Sequence, residues 1–128
     1  MRLEHVAVWT QDLEPLKDFY TTYFGARAGA KYVNAAKGFE SYFLSFETGA
    51  RLEIMRRTDV AAAEGDGPPR VGLAHFAIAV GSEAAVDALT ERLRAAGIRV
   101  AGAPRRTGDG YYESLVLDPD GNPVEITA

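Results

Sequence analysis

A chain of 128 residues, 47% hydrophobic and 25% charged, is long enough for one compact domain with a real core, and its composition is that of an ordinary globular protein. A net charge of −4 argues against a nucleic-acid partner, because phosphate contacts need clustered Lys and Arg, and the pairs Arg56-Arg57 and Arg105-Arg106 stand in no longer basic run. The absence of cysteine excludes disulfides, thiolate metal sites and cysteine nucleophiles; with no signal-peptide core in "MRLEHVAVWTQDLEP" and no apolar run of membrane-spanning length, the expectation is a cytoplasmic protein with no membrane partner.

The first predicted element is a strand. In "EHVAVWT" (4–10), alternation puts His5, Ala7 and Trp9 on one face and Val6 and Val8 on the other, the second being the core face. A helix follows, with Asp12 as its N-cap, Leu13, Leu16, Phe19, Tyr20, Tyr23 and Phe24 at helical spacing as a core stripe, and Gly25 as its stop. Three strands are expected over 27–33, 39–47 and 50–56, the last two joined by the turn "ETGA". "TDVAAAEGDGPPR" (58–70) reads as a Gly/Pro-rich connection.

The pattern is then written a second time. "AHFAIAV" (74–80) places His75, Ala77 and Ala79 opposite Phe76, Ile78 and Val80. Ser82 caps a second helix whose apolar positions are Val86, Leu89, Leu93 and Ala96 and which ends at Gly97. Strands are expected over 98–102, 111–118 and 122–127, the last two joined by "DPDGN". The chain is therefore an α+β protein of two paired β-α-β-β-β modules forming a curved mixed sheet. It is one domain, 1–128, with module one at about 1–57, the connection at 58–70 and module two at about 71–128.

Both histidines of the chain sit at matching places, His5 and His75, each seven residues before its helix cap. The last strand of each module carries a glutamate between aliphatic residues of the opposite face: Glu53 in "RLEIM" and Glu125 in "NPVEIT". Either glutamate alone would be read as keeping a solvent face soluble. Repeated with the histidines in both modules, the four residues can converge if the two sheets face each other. Two imidazoles and two carboxylates suit Zn, Ni, Co, Fe or Mn, leaving coordination positions for water or substrate on a five- or six-coordinate ion.

With these residues the sequence resembles the vicinal oxygen chelate superfamily, which includes glyoxalase I, fosfomycin resistance proteins, extradiol dioxygenases and bleomycin resistance proteins. The resemblance runs over essentially the whole chain and rests on His5, Glu53, His75 and Glu125, on "DLEPLKDFYTTYFGA" (12–26) and on the hairpin "DPDGNPVEI" (118–126). The two-His, two-Glu set most resembles glyoxalase I. That resemblance implies a metal-dependent lyase or isomerase of the lactoylglutathione lyase type, holding Ni, Zn, Co or Mn at His5, Glu53, His75 and Glu125. Its substrate would be a methylglyoxal–glutathione hemithioacetal or another small oxygenated molecule. Glu125 would be the principal base, Glu53 its counterpart across the metal, and proton transfer would run through an enediolate. The resemblance also implies a homodimer, with glutathione as cosubstrate.

Glyoxalase I carries an arginine four residues after the first ligand and an asparagine four after the first glutamate, both gripping glutathione; here these positions are Trp9 and Arg57. Trp9 would form an apolar or stacking wall or else belong to the core, and Arg57 would bind a carboxylate or phosphonate or else be solvated at a strand end. The segment "RRTGDGYYES" (105–114) reads first as a surface loop running into an edge strand. Its functional reading is a loop over the metal in which Arg105 or Arg106 neutralises an anion and Tyr111 or Tyr112 donates a hydrogen bond. The other readings are a fosfomycin-type epoxide-opening enzyme and an extradiol dioxygenase, both weakened by the filled Glu53 position, and a metal-free antibiotic-binding protein, weakened by the intact ligand set.

Overall fold

Both predicted β-α-β-β-β modules are present, and each builds a mixed sheet of its own. The computed structural model describes residues 1–62 and 72–128, in two compact units, Met1–Asp66 and Gly67–Ala128. The predicted connection 58–70 lies outside the described residues beyond position 62. Its first part folds back on the first unit, the Val60 N–H donating to Arg57 O and the Val60 carbonyl accepting from Gln11 Nε2. Among the described residues, no helix is long and apolar enough to cross a membrane.

The first unit runs β1 (His5–Trp9), α1 (Leu13–Phe24), β2 (Arg27–Ala28), β3 (Tyr32–Asn34), a 3-10 turn (Ala35–Lys37), β4 (Phe39–Ser45) and β5 (Arg51–Arg57). Its sheet has the order β1-β5-β4-β2, with β3 also on β4; β1 lies parallel to β5 and the other pairs are antiparallel. Asp12 caps α1 through Glu14 N, and Gly25 ends it at φ 65°, a left-handed conformation that a side chain disfavours. Leu13, Leu16, Phe19 and Tyr20 of α1 are buried, as are Val8, Leu44, Leu52 and Ile54 of the sheet. The strand expected over 27–33 is two short pieces, because Gly29 and Ala30 bring almost no side chain to a pleated surface and only the Gly29 N–H reaches Phe43 O. The 3-10 turn was not anticipated; Asn34 caps it through Lys37 N and Gly38 closes it at φ 57°.

The second unit runs β6 (Phe76–Ala79), α2 (Glu83–Ala95), β7 (Val100–Arg106), β8 (Tyr112–Leu117) and β9 (Pro123–Thr127). Its order β6-β9-β8-β7, with β6 parallel to β9, repeats that of the first unit. Ser82 caps α2 through Ala85 N. The Asp118 carboxylate accepts from Asp120 N, Asn122 N and Asn122 Nδ2, closing the predicted "DPDGN" turn. β7 lies farther along the chain than the predicted 98–102: two register shifts let it follow β8 as far as Arg106, and Pro104, which lacks an N–H, is tolerated on this outer strand.

The stripe of α2 differs from its prediction. Ala96 is exposed, and Thr90 is fully buried beside Val86 and Leu93. The Thr90 hydroxyl donates to Val86 O at 2.6 Å and meets the hydroxyl of Ser114 on β8 at 2.7 Å, so a polar pair closes the helix–sheet interface. Thr90→Val should cost about 1–3 kcal/mol by stranding the Ser114 hydroxyl, whereas Thr90→Val/Ser114→Ala should recover most of that loss. Urea denaturation of the three proteins checks this, and equal losses in the single and double variants would contradict it.

Candidate functional site

Strand register brings histidine and glutamate together in each unit. β1 pairs with β5 so that Ala7 stands opposite Glu53, and β6 pairs with β9 so that Ala77 stands opposite Glu125. Each histidine lies two residues before that alanine. Side chains alternate along a strand, so imidazole and carboxylate leave the same face of the sheet. His5 Nε2 is 3.9 Å from Glu53 Oε2, and His75 Nε2 is 3.2 Å from Glu125 Oε2. Leu52, Ile54, Val124 and Ile126 are buried on the opposite faces, which fixes the register: a slip of one residue would drive either glutamate into the core.

The two carboxylates are largely withdrawn from water. The Glu53 side chain is 15% exposed and the Glu125 side chain 20%. A carboxylate taken out of water needs a donor or a cation. Among the described residues, Glu53 has no Lys or Arg within ion-pair reach, and its contact with His5 is beyond hydrogen-bonding distance. Each unit thus supplies two donors, and among the described residues no group of three or more His, Cys, Asp or Glu side chains is gathered to hold a metal ion.

His5 is held from behind. Its Nδ1 lies 2.5 Å from Glu4 Oε2, and the other carboxylate oxygen of Glu4 accepts from Arg51 Nε at 2.9 Å and Nη2 at 2.5 Å. The Arg51 guanidinium in turn lies 4.1 Å from the centre of the Phe43 ring, which meets the His5 ring edge to face at 5.4 Å. The hydrogen bond to His5, and after it that to Arg51, holds the Glu4 carboxyl below its usual range.

In the second unit the pair opens into a cleft of about 500 Å³, lined by His75, Ala77, Thr107, Asp109, Tyr111, Glu113, Glu125 and Thr127. Arg105 does not line it but pairs with a residue that does, its Nη2 3.4 Å from Glu113 Oε1. The Thr127 hydroxyl is buried with no hydrogen-bond partner among the described residues. Of the two tyrosines singled out in the sequence, only Tyr111 lines this cleft. Tyr112 turns to the helix side, where its hydroxyl donates to Asp87 Oδ1 at 2.8 Å and its ring lies under Arg106. Arg106 itself pairs with Glu83 at the start of α2. In the first unit Trp9 and Arg57 are neighbours: the guanidinium lies 5.1 Å from the centre of the indole ring and bonds Asp59 Oδ1 at 2.5 Å, while Trp9 meets Phe39 edge to face.

Sequence reasoning missed Glu4, Arg51 and Phe43 around His5, and Thr107, Asp109, Glu113 and Thr127 in the cleft. Alternation along β8 and β9 was the available signal for Glu113 and Thr127, since each lies two residues from a residue already singled out, Tyr111 and Glu125. Glu4 gave no such signal, because it precedes β1 and curls back beside its neighbour.

The model of the Glyoxalase/Bleomycin resistance protein/Dioxygenase superfamily matches residues 2–126. A relative described as the uncharacterized protein YqjT, from Bacillus subtilis, is 44% identical over 62 residues, covering 46% of this chain and 48% of its own length. A mutant of glyoxalase I from Zea mays superposes with a TM-score of 0.81 at 25% identity, over 98% of this chain but 44% of the maize chain. A lactoylglutathione lyase from Agrobacterium tumefaciens superposes with a TM-score of 0.71 at 26% identity, over 98% of this chain and 91% of its own. The chain thus spans about half the length of YqjT that it matches, and less than half of the maize chain.

The opposite orientation of the adjacent tyrosines is open to titration. The hydrogen bond to Asp87, then burial, then the charge of Asp87 hold the Tyr112 phenol above its ordinary value of 10.0. A raised value favours the protonated form in the folded state. The stability this bond supplies is therefore complete below about pH 10 and fades as pH rises through the raised value. Asp87→Asn should return the Tyr112 phenol toward its ordinary titration, as read by NMR of the tyrosine ring carbons; an unmoved Tyr112 would contradict the bond to Asp87.

Proposed function

Because the chain belongs to the Glyoxalase/Bleomycin resistance protein/Dioxygenase superfamily, we propose that it is a divalent-metal-dependent lyase or isomerase of the glyoxalase I type. His5, Glu53, His75 and Glu125 are its metal ligands, and it acts as a homodimer on a small molecule with neighbouring oxygen functions. The observation that carries this reading is the repeated pair: in each module a carboxylate drawn out of water faces an imidazole Nε2. Two ligands each about 2.1 Å from one ion stand roughly 3–3.5 Å apart, and the His75–Glu125 distance of 3.2 Å matches this, with the His5–Glu53 distance of 3.9 Å slightly longer. Two imidazoles and two carboxylates fit Zn, Ni, Co or Mn.

A bound divalent ion would polarise a substrate carbonyl as a Lewis acid and offset the negative charge that develops on its oxygen. The remaining work falls to the chain. Glu125, at the wall of the cleft, removes a proton from the hydroxyl-bearing carbon beside the carbonyl and returns it to the former carbonyl carbon, while the hydroxyl proton passes to the former carbonyl oxygen, so that the substrate is isomerised with no atom gained or lost. His75 and His5 hold the carboxylates' side of the site in place. Tyr111 lines the cleft and would donate its hydroxyl to a substrate oxygen there, and Arg105, paired with Glu113 of the cleft wall, would offer a positive charge. The indole of Trp9, 40% exposed and backed by Phe39, presents an apolar wall where glyoxalase I grips glutathione. This favours a substrate whose unreactive part is apolar, and the methylglyoxal–glutathione hemithioacetal, whose unreactive part is a charged tripeptide, is the compound against which that preference is assayed.

Glu125→Gln should keep the fold and part of the metal affinity while turnover falls roughly 10²- to 10⁴-fold. Spectrophotometric assay of the metal-loaded protein with methylglyoxal plus glutathione, set beside fosfomycin plus thiols, reads this; full activity of the variant would remove Glu125 from the role of base. In the proposed homodimer one protomer would lend His5 and Glu53 and its partner His75 and Glu125. Co-refolding inactive His5→Ala with inactive His75→Ala should then restore about a quarter of wild-type activity, because half of the dimers are mixed and each mixed dimer has one intact site of two. No recovery in the mixture would mean that each site is built within one chain.

A further inference from the structure

We infer that Glu4, clamped by Arg51, is a positioning residue that fixes the tautomer and ring plane of His5 and so presents its Nε2 toward Glu53. This inference rests on the reading of His5 as a metal ligand. The geometry behind it is a closed ring of contacts. One carboxylate oxygen of Glu4 lies 2.5 Å from His5 Nδ1, and its other oxygen takes both Nε and Nη2 of Arg51. The Arg51 guanidinium stacks at 4.1 Å on Phe43, and the edge-to-face contact of Phe43 with the His5 ring closes the circuit.

A neutral imidazole carries one proton, and a carboxylate at hydrogen-bond distance from Nδ1 draws it there. Nε2 is then left with its lone pair, the form in which it binds a cation. Metal-ligating histidines are commonly oriented through the other ring nitrogen in this way, and loss of such a partner typically costs 10- to 100-fold in metal affinity. The main chain supports the same placement, since the Arg51 N–H donates to Glu4 O at 2.9 Å and Arg51 stands opposite His5 in the β1–β5 register. The clamp belongs to one module alone. Ala74 occupies the position before His75, so the twin histidine lacks this carboxylate and serves as an internal control.

The test uses Glu4→Ala and Glu4→Gln in the 128-residue chain, reading the nitrogen shifts of both histidines by NMR without metal and then titrating Co²⁺. In the unmodified protein His5 should carry its proton on Nδ1. In Glu4→Ala it should shift toward the Nε2-protonated form that free histidine favours, with His75 unchanged and Co²⁺ affinity lower by about 10- to 100-fold. Glu4→Gln keeps a carbonyl acceptor and should fall between the two. Because Glu4 is half exposed, its replacement should leave the thermal midpoint nearly unmoved, and a loss of affinity that tracks a loss of stability would overturn the inference. An unchanged His5 tautomer in Glu4→Ala would overturn it equally. Failure of the unmodified protein to bind Co²⁺ would refute the proposed metal site, while the tautomer comparison would still decide the role of Glu4.

Discussion

The parallel pairing of each module's first strand with its last is the constraint on which the site depends. Parallel neighbours cannot be joined by a tight turn and need a long crossover, here a helix and the intervening strands. This crossover carries the chain from His5 back to Glu53, and from His75 back to Glu125, residues about fifty positions apart that end within 4 Å of each other. The aliphatic residues on either side of each glutamate hold the register by burial. The site is therefore positioned by the hydrophobic core beneath it, and the polar pair itself contributes little to keeping the strands in place.

The twin modules share a topology but have diverged in their surroundings. The first surrounds its pair with aromatic rings and guanidinium groups: Phe43 and Arg51 beside His5, Trp9 with Phe39 and Arg57 farther along the same sheet. The second surrounds its pair with hydroxyls and carboxylates and leaves it open to a cleft. The first module thus encloses its histidine in a ring of contacts, and the second leaves room beside its pair.

Most of the architecture was legible because it rests on short-range rules. Two-residue alternation found the strands, Asp12, Ser82 and Gly25 marked helix ends, and the repeated His–Glu spacing pointed to the pairs. What escaped detection depends on partners distant in sequence. Tyr111 and Tyr112 are equivalent in composition, and only their alternation on entering β8 sends one into the cleft and the other to Asp87 of α2. Thr90 reads as a gap in the apolar stripe of its helix until Ser114 is found opposite it. Glu4 lies just outside the first strand, where the alternation rule no longer says which way a side chain points.

The two glutamates are chemically alike, yet their surroundings suit them to different work. Glu53 stands opposite Phe43 in the ladder and beside a histidine clamped through Glu4 and Arg51. Glu125 stands opposite Leu115 and lines an open cleft of about 500 Å³. A proton-transfer base must approach a carbon atom and then withdraw, which requires free volume on the substrate side. The cleft beside Glu125 offers that volume. On the proposed reading of a metal-dependent lyase, this open side is what suits Glu125 to the role of base.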